Sequence, residues 1–422
     1  MLKRLPLALA LFALAAVFAG QAGAATVGRY IVVLQDGTDT ASVAAYHEGF
    51  AGADVTARYT HALNGYAATL SPAALEAVKA DSRVDFVSVD RPVHIDAQSL
   101  PTGINRIDGE LSTTASGNGS GSVNINVAVV DTGIDPSHPD LNVVGGTDCA
   151  PGIGYNDLNG HGSHVSGTIA AKDDANGVVG VAPGARLWAV KVLTDAGAGL
   201  TSHIVCGIDW VTATRSDLDP NNNIAVANMS LGGGGTDDGN CGNSNNDAEH
   251  KAICRAVAAG VTFVVAAGND GVDLRNSTPA AYDEVLTVSA VSDFNGTPGG
   301  GGASTCRTDT DDQYASYSNF AVLAADQNHT IAAPGTCINS TWMLGGYNTI
   351  SGTSMASPHV TGTVALCIST GACTGTPAQI ASKLRSDAQS YTSGTPSYGF
   401  NGDPTRPVSG RYYGYLVRAG GY

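Results

Sequence analysis

Charge is scarce in this chain. Asp, Glu, Lys and Arg make up 14% of its 422 residues, against a usual quarter. Basic residues are scarcer still: 21 Lys and Arg face 37 Asp and Glu, a formal net charge of -16. Such a surface repels phosphate backbones and excludes nucleic acid as a partner. It suits solubility and cation binding without proving either. Long apolar runs are missing after the first 25 residues. None approaches the roughly 18 apolar residues that cross a bilayer, so no membrane attachment is expected once those first residues are removed. No Cys-x-x-Cys pair occurs, which removes the common zinc pattern. Internal repeats are absent, and cysteine is absent before residue 149.

What is present narrows the picture. Glycine is abundant at 54 residues, while the hydrophobic share is an ordinary 43%. That pairing points to tight turns and close backbone approaches rather than disorder. Residues 1–25 combine Lys3 and Arg4, the apolar stretch Leu5 to Phe18, and the small residues Ala22-Gly23-Ala24. This is the pattern of a secretion signal, cleaved after Ala24 or Ala25. Behind it stand eight cysteines, Cys149, Cys206, Cys241, Cys254, Cys306, Cys337, Cys367 and Cys373, an even set that reads as disulfides. The sequence leaves their connectivity open. Bridges between sequence neighbours are the simplest arrangement, and each short closed loop would contribute about 3 kcal/mol.

Two domains are expected after the signal. Residues 26–97 hold strand patterns at Tyr30–Leu34, Gly65–Leu70 and Val84–Val89, with helical patterns at Thr40–Phe50 and from Ser71-Pro72 to Ala80. This is a small α+β unit. A linker with Pro92 follows. From residue 98 to 422 the pattern changes. Near-continuous apolar runs at Ile125–Val130, Leu187–Leu193, Ile224–Asn228, Val261–Ala267 and Val285–Val291 read as strands buried on both faces. They alternate with helical stretches at His161–Ala171, Thr201–Thr214, Asp247–Ala259, Ser354–Ile368 and Pro377–Ser386. The fold class is therefore α/β, a mostly parallel sheet with helices on both faces. The tail beyond Tyr391 carries Tyr398, Tyr412, Tyr413, Tyr415 and Tyr422 and is expected to pack on this domain.

Sites in such sheets gather at the carboxyl ends of strands. Val127-Ala128-Val129-Val130-Asp131-Thr132-Gly133 puts an acid where an apolar strand stops. Asn159-Gly160-His161-Gly162-Ser163-His164 puts a histidine at a helix start. Val264-Val265-Ala266-Ala267-Gly268-Asn269 ends a strand on an amide. Ser351-Gly352-Thr353-Ser354-Met355-Ala356-Ser357-Pro358 leads into an apolar helix, with Pro358 marking its start. Ser354 there has a reachable hydroxyl beside N–H groups without helical acceptors. Taken singly, each residue has a structural reading: a turn cap, a buried histidine, a turn amide, a helix cap. Together they supply a nucleophile, a base, an orienting acid and an oxyanion donor.

The order Asp131, His161, Ser354, inside Asp-Thr-Gly, His-Gly-Ser-His and Gly-Thr-Ser-Met-Ala, resembles the subtilisin and proteinase K family of secreted serine peptidases. The resemblance runs from about residue 100 to 390. Residues 29 to 95 also resemble that family's propeptide, notably Tyr30-Ile31-Val32-Val33-Leu34 and Ala62-Leu63-Asn64-Gly65-Tyr66-Ala67. The resemblance implies Ser354 as nucleophile, His161 as general base and acid, Asp131 as its orienting partner, and Asn269 as oxyanion donor. It implies that Ser230, Leu231, Gly232 and Gly233 pair with a protein or peptide substrate. With them, Ala266, Ala267 and Gly268 would wall a pocket for a large apolar side chain. It further implies a monomer inhibited by its own propeptide, and bound calcium. Asp140 and Asp174 match carboxylate and side-chain ligands, and Lys172, Asn176 and Val178 would add carbonyls. The ligand that the family draws from its mature N-terminus is not located in the sequence. Asp309, Asp311 and Asp312 read as a solvated acidic turn. Two rivals remain to be weighed. An α/β-hydrolase esterase needs the order Ser, acid, His, which is absent. A catalytically inactive binding relative would lack one of the chemical positions, and all four are present.

Overall fold

The computed structural model describes residues 27–90, 98–152 and 154–422. The expected signal segment and the boundary after residue 97 lie outside these residues. The chain divides into two compact units, Met1–His94 and Ile95–Tyr422.

The first unit holds β1 (Gly28–Leu34), α1 (Thr40–Ala51), β2 (Asp54–Tyr59), β3 (Gly65–Leu70), α2 (Pro72–Lys79) and β4 (Val84–Val89). Its antiparallel sheet runs in the order β2-β3-β1-β4. Both helices start on side-chain caps, Asp39 and Ser71, and Pro72 occupies the first position of α2. Strand β2 was not expected. Its Asp, Thr and Arg alternate with half-buried Val55, Ala57 and Tyr59, an edge-strand pattern too polar to stand out.

The second unit opens with α3 (Thr102–Arg106). Then come β5 (Asn126–Asp131), β6 (Val143–Asp148), α4 (His161–Ala170), β7 (Arg186–Lys191), α5 (Thr201–Ala213), β8 (Val226–Met229) and β9 (Gly233–Gly234). They are followed by α6 (Ala248–Ala258), β10 (Thr262–Ala266), β11 (Ser277–Thr278), β12 (Leu286–Ser292), β13 (Gln313–Tyr314), α7 (Ala324–Gln327) and β14 (Thr330–Pro334). The hairpin β15 (Ile338–Trp342) and β16 (Gly346–Ile350) precedes α8 (Thr353–Ser369) and α9 (Pro377–Gly394). The main sheet has eight strands in the order β13-β12-β10-β8-β5-β7-β6, with β14 added beside β12. All its pairings are parallel except β12 with β13. The α/β fold class expected from the alternation is the one observed.

Side chains alternate across that sheet, which makes two cores from one set of strands. Val127, Val129 and Val264 face one core with Val165 and Ile169 of α4 and Val360 and Val364 of α8. Ala128, Val130 and Val265 face the other with Ile208 and Val211 of α5 and Ile253 of α6. Each fully buried Val or Ile contributes about 1.5–3 kcal/mol relative to exposure. The tyrosine-rich tail packs as expected: Tyr398, Tyr413 and Tyr422 are buried in the first core. Helix α9 runs on to Gly394, past the expected end at Ser386, because Ala388 and Thr392 remain buried on it.

The disulfides join sequence neighbours: Cys149–Cys206, Cys241–Cys254, Cys306–Cys337 and Cys367–Cys373. One expectation fails. Asp311 and Asp312 are not a solvated turn. Both are buried, Asp311 accepts from the Phe294 and Gly302 N–H groups, and Asp312 accepts from Arg106, Gly299 and Gly300. Deep acids survive there because a buried guanidinium and backbone amides satisfy them.

Candidate active site

Strand β5 starts the sheet at its centre; β7 and β6 add on one side, β8 and β10 on the other. The chain therefore reverses its order of addition between β5 and β8, and a crevice opens beyond their carboxyl ends. Asp131 closes β5 and Ser230 follows β8 at that crevice.

Asp131 is fully buried and His161 begins α4. The His161 Nδ1 lies 2.7 Å from Asp131 Oδ1. The same oxygen accepts the Thr132 N–H. Burial pulls the His161 pKa down, but the Asp131 charge and hydrogen bond more than offset it, so the net shift is upward. The neighbouring His164 has no such partner. It is buried with Nε2 on the Ile338 carbonyl, and burial holds its pKa at about 3.

Ser354 sits in the first turn of α8, and its N–H has no hydrogen-bond partner among the described residues. Its hydroxyl donates to the Ser230 carbonyl at 3.2 Å rather than to the His161 ring. Pro358 lies deeper in α8 than the helix-start position expected for it. A proline there lacks the N–H that would bond the carbonyl four residues back. That carbonyl belongs to Ser354, and the Ser230 hydroxyl donates to it at 2.7 Å. Asn228 in turn donates to the Ser230 hydroxyl and accepts from Ser357 and Thr361. The proline thus frees an acceptor that ties α8 to the end of β8. Asn228 and this exchange were not apparent in the sequence, since they depend on residues more than 120 positions apart.

Asn269 is held by its acceptor end. The Thr353 N–H and hydroxyl both donate to its Oδ1, at 2.8 and 3.0 Å. This sets the amide orientation and leaves Nδ2 open on an exposed residue beside the start of α8. Ala266, Ala267, Gly268 and Asn269 line a cavity of about 820 Å³ together with Leu231, Gly232, Gly233, Thr353 and Ser354. Asp270, Asp273 and Asn276 line it too, polar groups beyond the small apolar wall that was expected. A second cavity of about 520 Å³ holds His161, Leu193, Ile204, Ser230 and the same Leu231–Gly233 segment. Gly232, Gly233 and Gly234 are exposed, and nothing blocks the space above Gly233 and Gly234. One edge of Gly233–Gly234 pairs with Ser277–Thr278. Such a strand can take an added peptide strand.

Of the five residues expected around calcium, Asp140, Lys172 and Val178 meet directly. Asp140 accepts the Val178 N–H at 3.0 Å, and the Asp140 carbonyl accepts the Lys172 N–H. Asp174 and Asn176 lie exposed on the same loop. Burial, then the Asp174 charge, push Asp140 up to about 6. Its Oδ1 is buried without a partner. Gln98, absent from the expected set, reaches the same loop. Its Nε2 donates to the Lys172 and Val178 carbonyls at 2.7 and 3.2 Å, while its Oε1 is buried and unpartnered. Two orphaned buried oxygens among converging carbonyls fit a hard cation. Only the fold brings Gln98 to a loop 74 residues away.

Residues 122–406 match the Subtilase family, and residues 29–96 match the Peptidase inhibitor I9 family. Subtilisin E of Bacillus subtilis (strain 168) is 39% identical over 331 residues, 77% of this chain and 76% of the relative. An alkaline protease of Shouchella clausii is 37% identical over 298 residues, 70% of this chain and 67% of the relative. A solved cold-adapted subtilisin-like serine proteinase superposes with a TM-score of 0.54 at 29% identity, covering 74% of this chain and 97% of that one. Among the described residues, no helix is long and apolar enough to cross a membrane.

Proposed function

The chain belongs to the subtilase family of serine peptidases, and from that premise we propose that it is a secreted, monomeric endopeptidase that cleaves itself from an inhibitory propeptide. Ser354 attacks the substrate carbonyl. His161 takes the hydroxyl proton on Nε2 and returns it to the leaving amine. Asp131 holds the Nδ1 proton and stabilises the imidazolium. The Asn269 Nδ2 and the Ser354 N–H receive the oxyanion. Water then releases the acyl-enzyme by the same steps. In the unprocessed chain the Ser354 hydroxyl rests on the Ser230 carbonyl. Rotation about Cα–Cβ carries it to His161 when substrate enters.

The observation that carries this reading is the pairing of part-exposed His161 with buried Asp131 at 2.7 Å, set at the sheet crevice beside a cavity that holds Ser354 and Asn269. Substrate backbone would pair along Ser230–Gly233. The side chain before the scissile bond would enter the cavity of Ala266, Ala267 and Gly268, whose size favours a large apolar group. The matched inhibitor segment, residues 29–96, supports residues 26–97 as propeptide and residues 98–422 as the catalytic domain. Calcium would be held by the Asp140 and Asp174 side chains and by the Lys172, Asn176 and Val178 carbonyls, and Gln98 would join them with its amide turned over to present Oε1 in place of Nε2. It would supply structural cross-linking and no chemistry. A fluorophosphonate probe should label the mature protein at Ser354 and fail to label Ser354→Ala. Labelling elsewhere, or none, would exclude the nucleophile and leave an inactive binding relative.

A further inference from the structure

The cavity beside His161 contains one group that peptide hydrolysis does not use. Glu249 lines it, among small, apolar and neutral polar residues and His161, with no Lys or Arg. The residue stands in the first turn of α6, where the Asp247 cap accepts its N–H. It is 6% exposed, and its Oε1 is buried without a hydrogen-bond partner. Burial, with the Asp247 carboxylate beside it, pushes its carboxyl up to about 7. A desolvated carboxylate with no partner is costly unless something arrives to pair with it.

The shared wall of the two cavities says what arrives. Leu231–Gly234 and Thr278 line both. A peptide extended along that wall alternates its side chains between the two sides. With the scissile residue in the Ala266–Gly268 cavity, the residue before it turns to the His161 side. The residue three positions before the scissile one returns to that side, roughly 10 Å from the scissile residue. Glu249 belongs to that further end. Thr278 pairs with Gly233, and Tyr282, a few residues on, donates to the Asp247 cap of α6 at 2.6 Å.

We propose that Glu249 selects substrates with a basic side chain, Lys or Arg, three positions before the scissile residue, by pairing its carboxylate with that cation. This rests on the reading of the site as a peptidase.

The test uses the mature enzyme and peptides that differ only at that position, carrying Lys, Arg or Leu. For the wild type, kcat/KM should favour Lys and Arg over Leu by about 10–100-fold, as desolvated charge pairs do. Glu249→Gln keeps the shape and should bring the ratio near one. Glu249→Leu suits the buried setting and should invert it. Ratios within one preparation do not depend on how much of a variant folds. A wild-type ratio near one, or a ratio unchanged in both variants, overturns the assignment. If the wild type hydrolyses none of the peptides, the peptidase reading fails first and this assignment falls with it.

Discussion

At Asn269, orientation is decided by the acceptor end of the amide. Thr353 occupies Oδ1 twice, so Nδ2 is left free for the oxyanion role proposed for it. Asn269→Leu keeps the volume and removes the donor. Turnover should fall about 10²–10³-fold, with KM little changed because the bond strengthens in the transition state. Steady-state kinetics on a peptide substrate would show it, and an unchanged kcat would remove Asn269 from the role. His161 carries a second prediction. A base must be neutral to accept a proton, so activity is present above its pKa and is lost as pH falls through it. Asp131 raises that pKa above the ordinary 6.5. The acid limb of kcat/KM should therefore lie above 6.5 for the wild type and move down in Asp131→Asn, with kcat reduced roughly 10⁴-fold. A limb that stays in place would mean that Asp131 does not set the base.

The elements are held in register by exchanges between them. Pro358 in α8 frees the Ser354 carbonyl, and Ser230 after β8 takes it. Cross-links act on the same scale. Cys149 and Cys206 are 57 positions apart and tie the end of β6 to α5, while Cys367 and Cys373 are only 6 apart. In the chain-entropy model, removing the first bridge costs about 4 kcal/mol and removing the second about 2 kcal/mol. Urea unfolding of double Cys→Ala variants in a Ser354→Ala background, which prevents autolysis, should rank them in that order. Equal losses would show that loop length is not what these bridges act through.

For the molecule as a whole, the expected outcome of synthesis is self-cleavage near residues 95–105. Ser354→Ala should accumulate as the uncut chain in a protease-free host; normal processing of that variant would assign the cut to another enzyme. Calcium carries the other prediction. A ligand that binds only the folded state stabilises it by about 4 kcal/mol at a thousandfold excess over Kd. EGTA should shorten the thermal inactivation half-life of the native enzyme and leave that of Asp174→Ala, already short, unchanged. Equal shortening of both, or of neither, would detach Asp174 from a stabilising ion.

Local pattern by itself determined the strands β5, β7, β8, β10 and β12, because their runs are short, rich in Val and other β-branched residues, and bounded by turn residues, as strands buried on both faces are. It also determined which residue types could do acyl transfer, since Asp131, His161, Asn269 and Ser354 each fall where an apolar strand ends or a helix begins. Strand β6 escaped it. Gly146 stands in β6 because a Cβ there would lie 2.1 Å from the Ala189 carbonyl oxygen, a contact set by the neighbouring strand and not by β6 itself. The hairpin of β15 and β16 escaped it too, being short and polar. Gln98, Asn228, the burial of Asp311 and Asp312, and the orphaned Glu249 were decided only by tertiary structure. In each case the partner, or its absence, comes from chain distant in sequence, and burial turns that pairing into free energy.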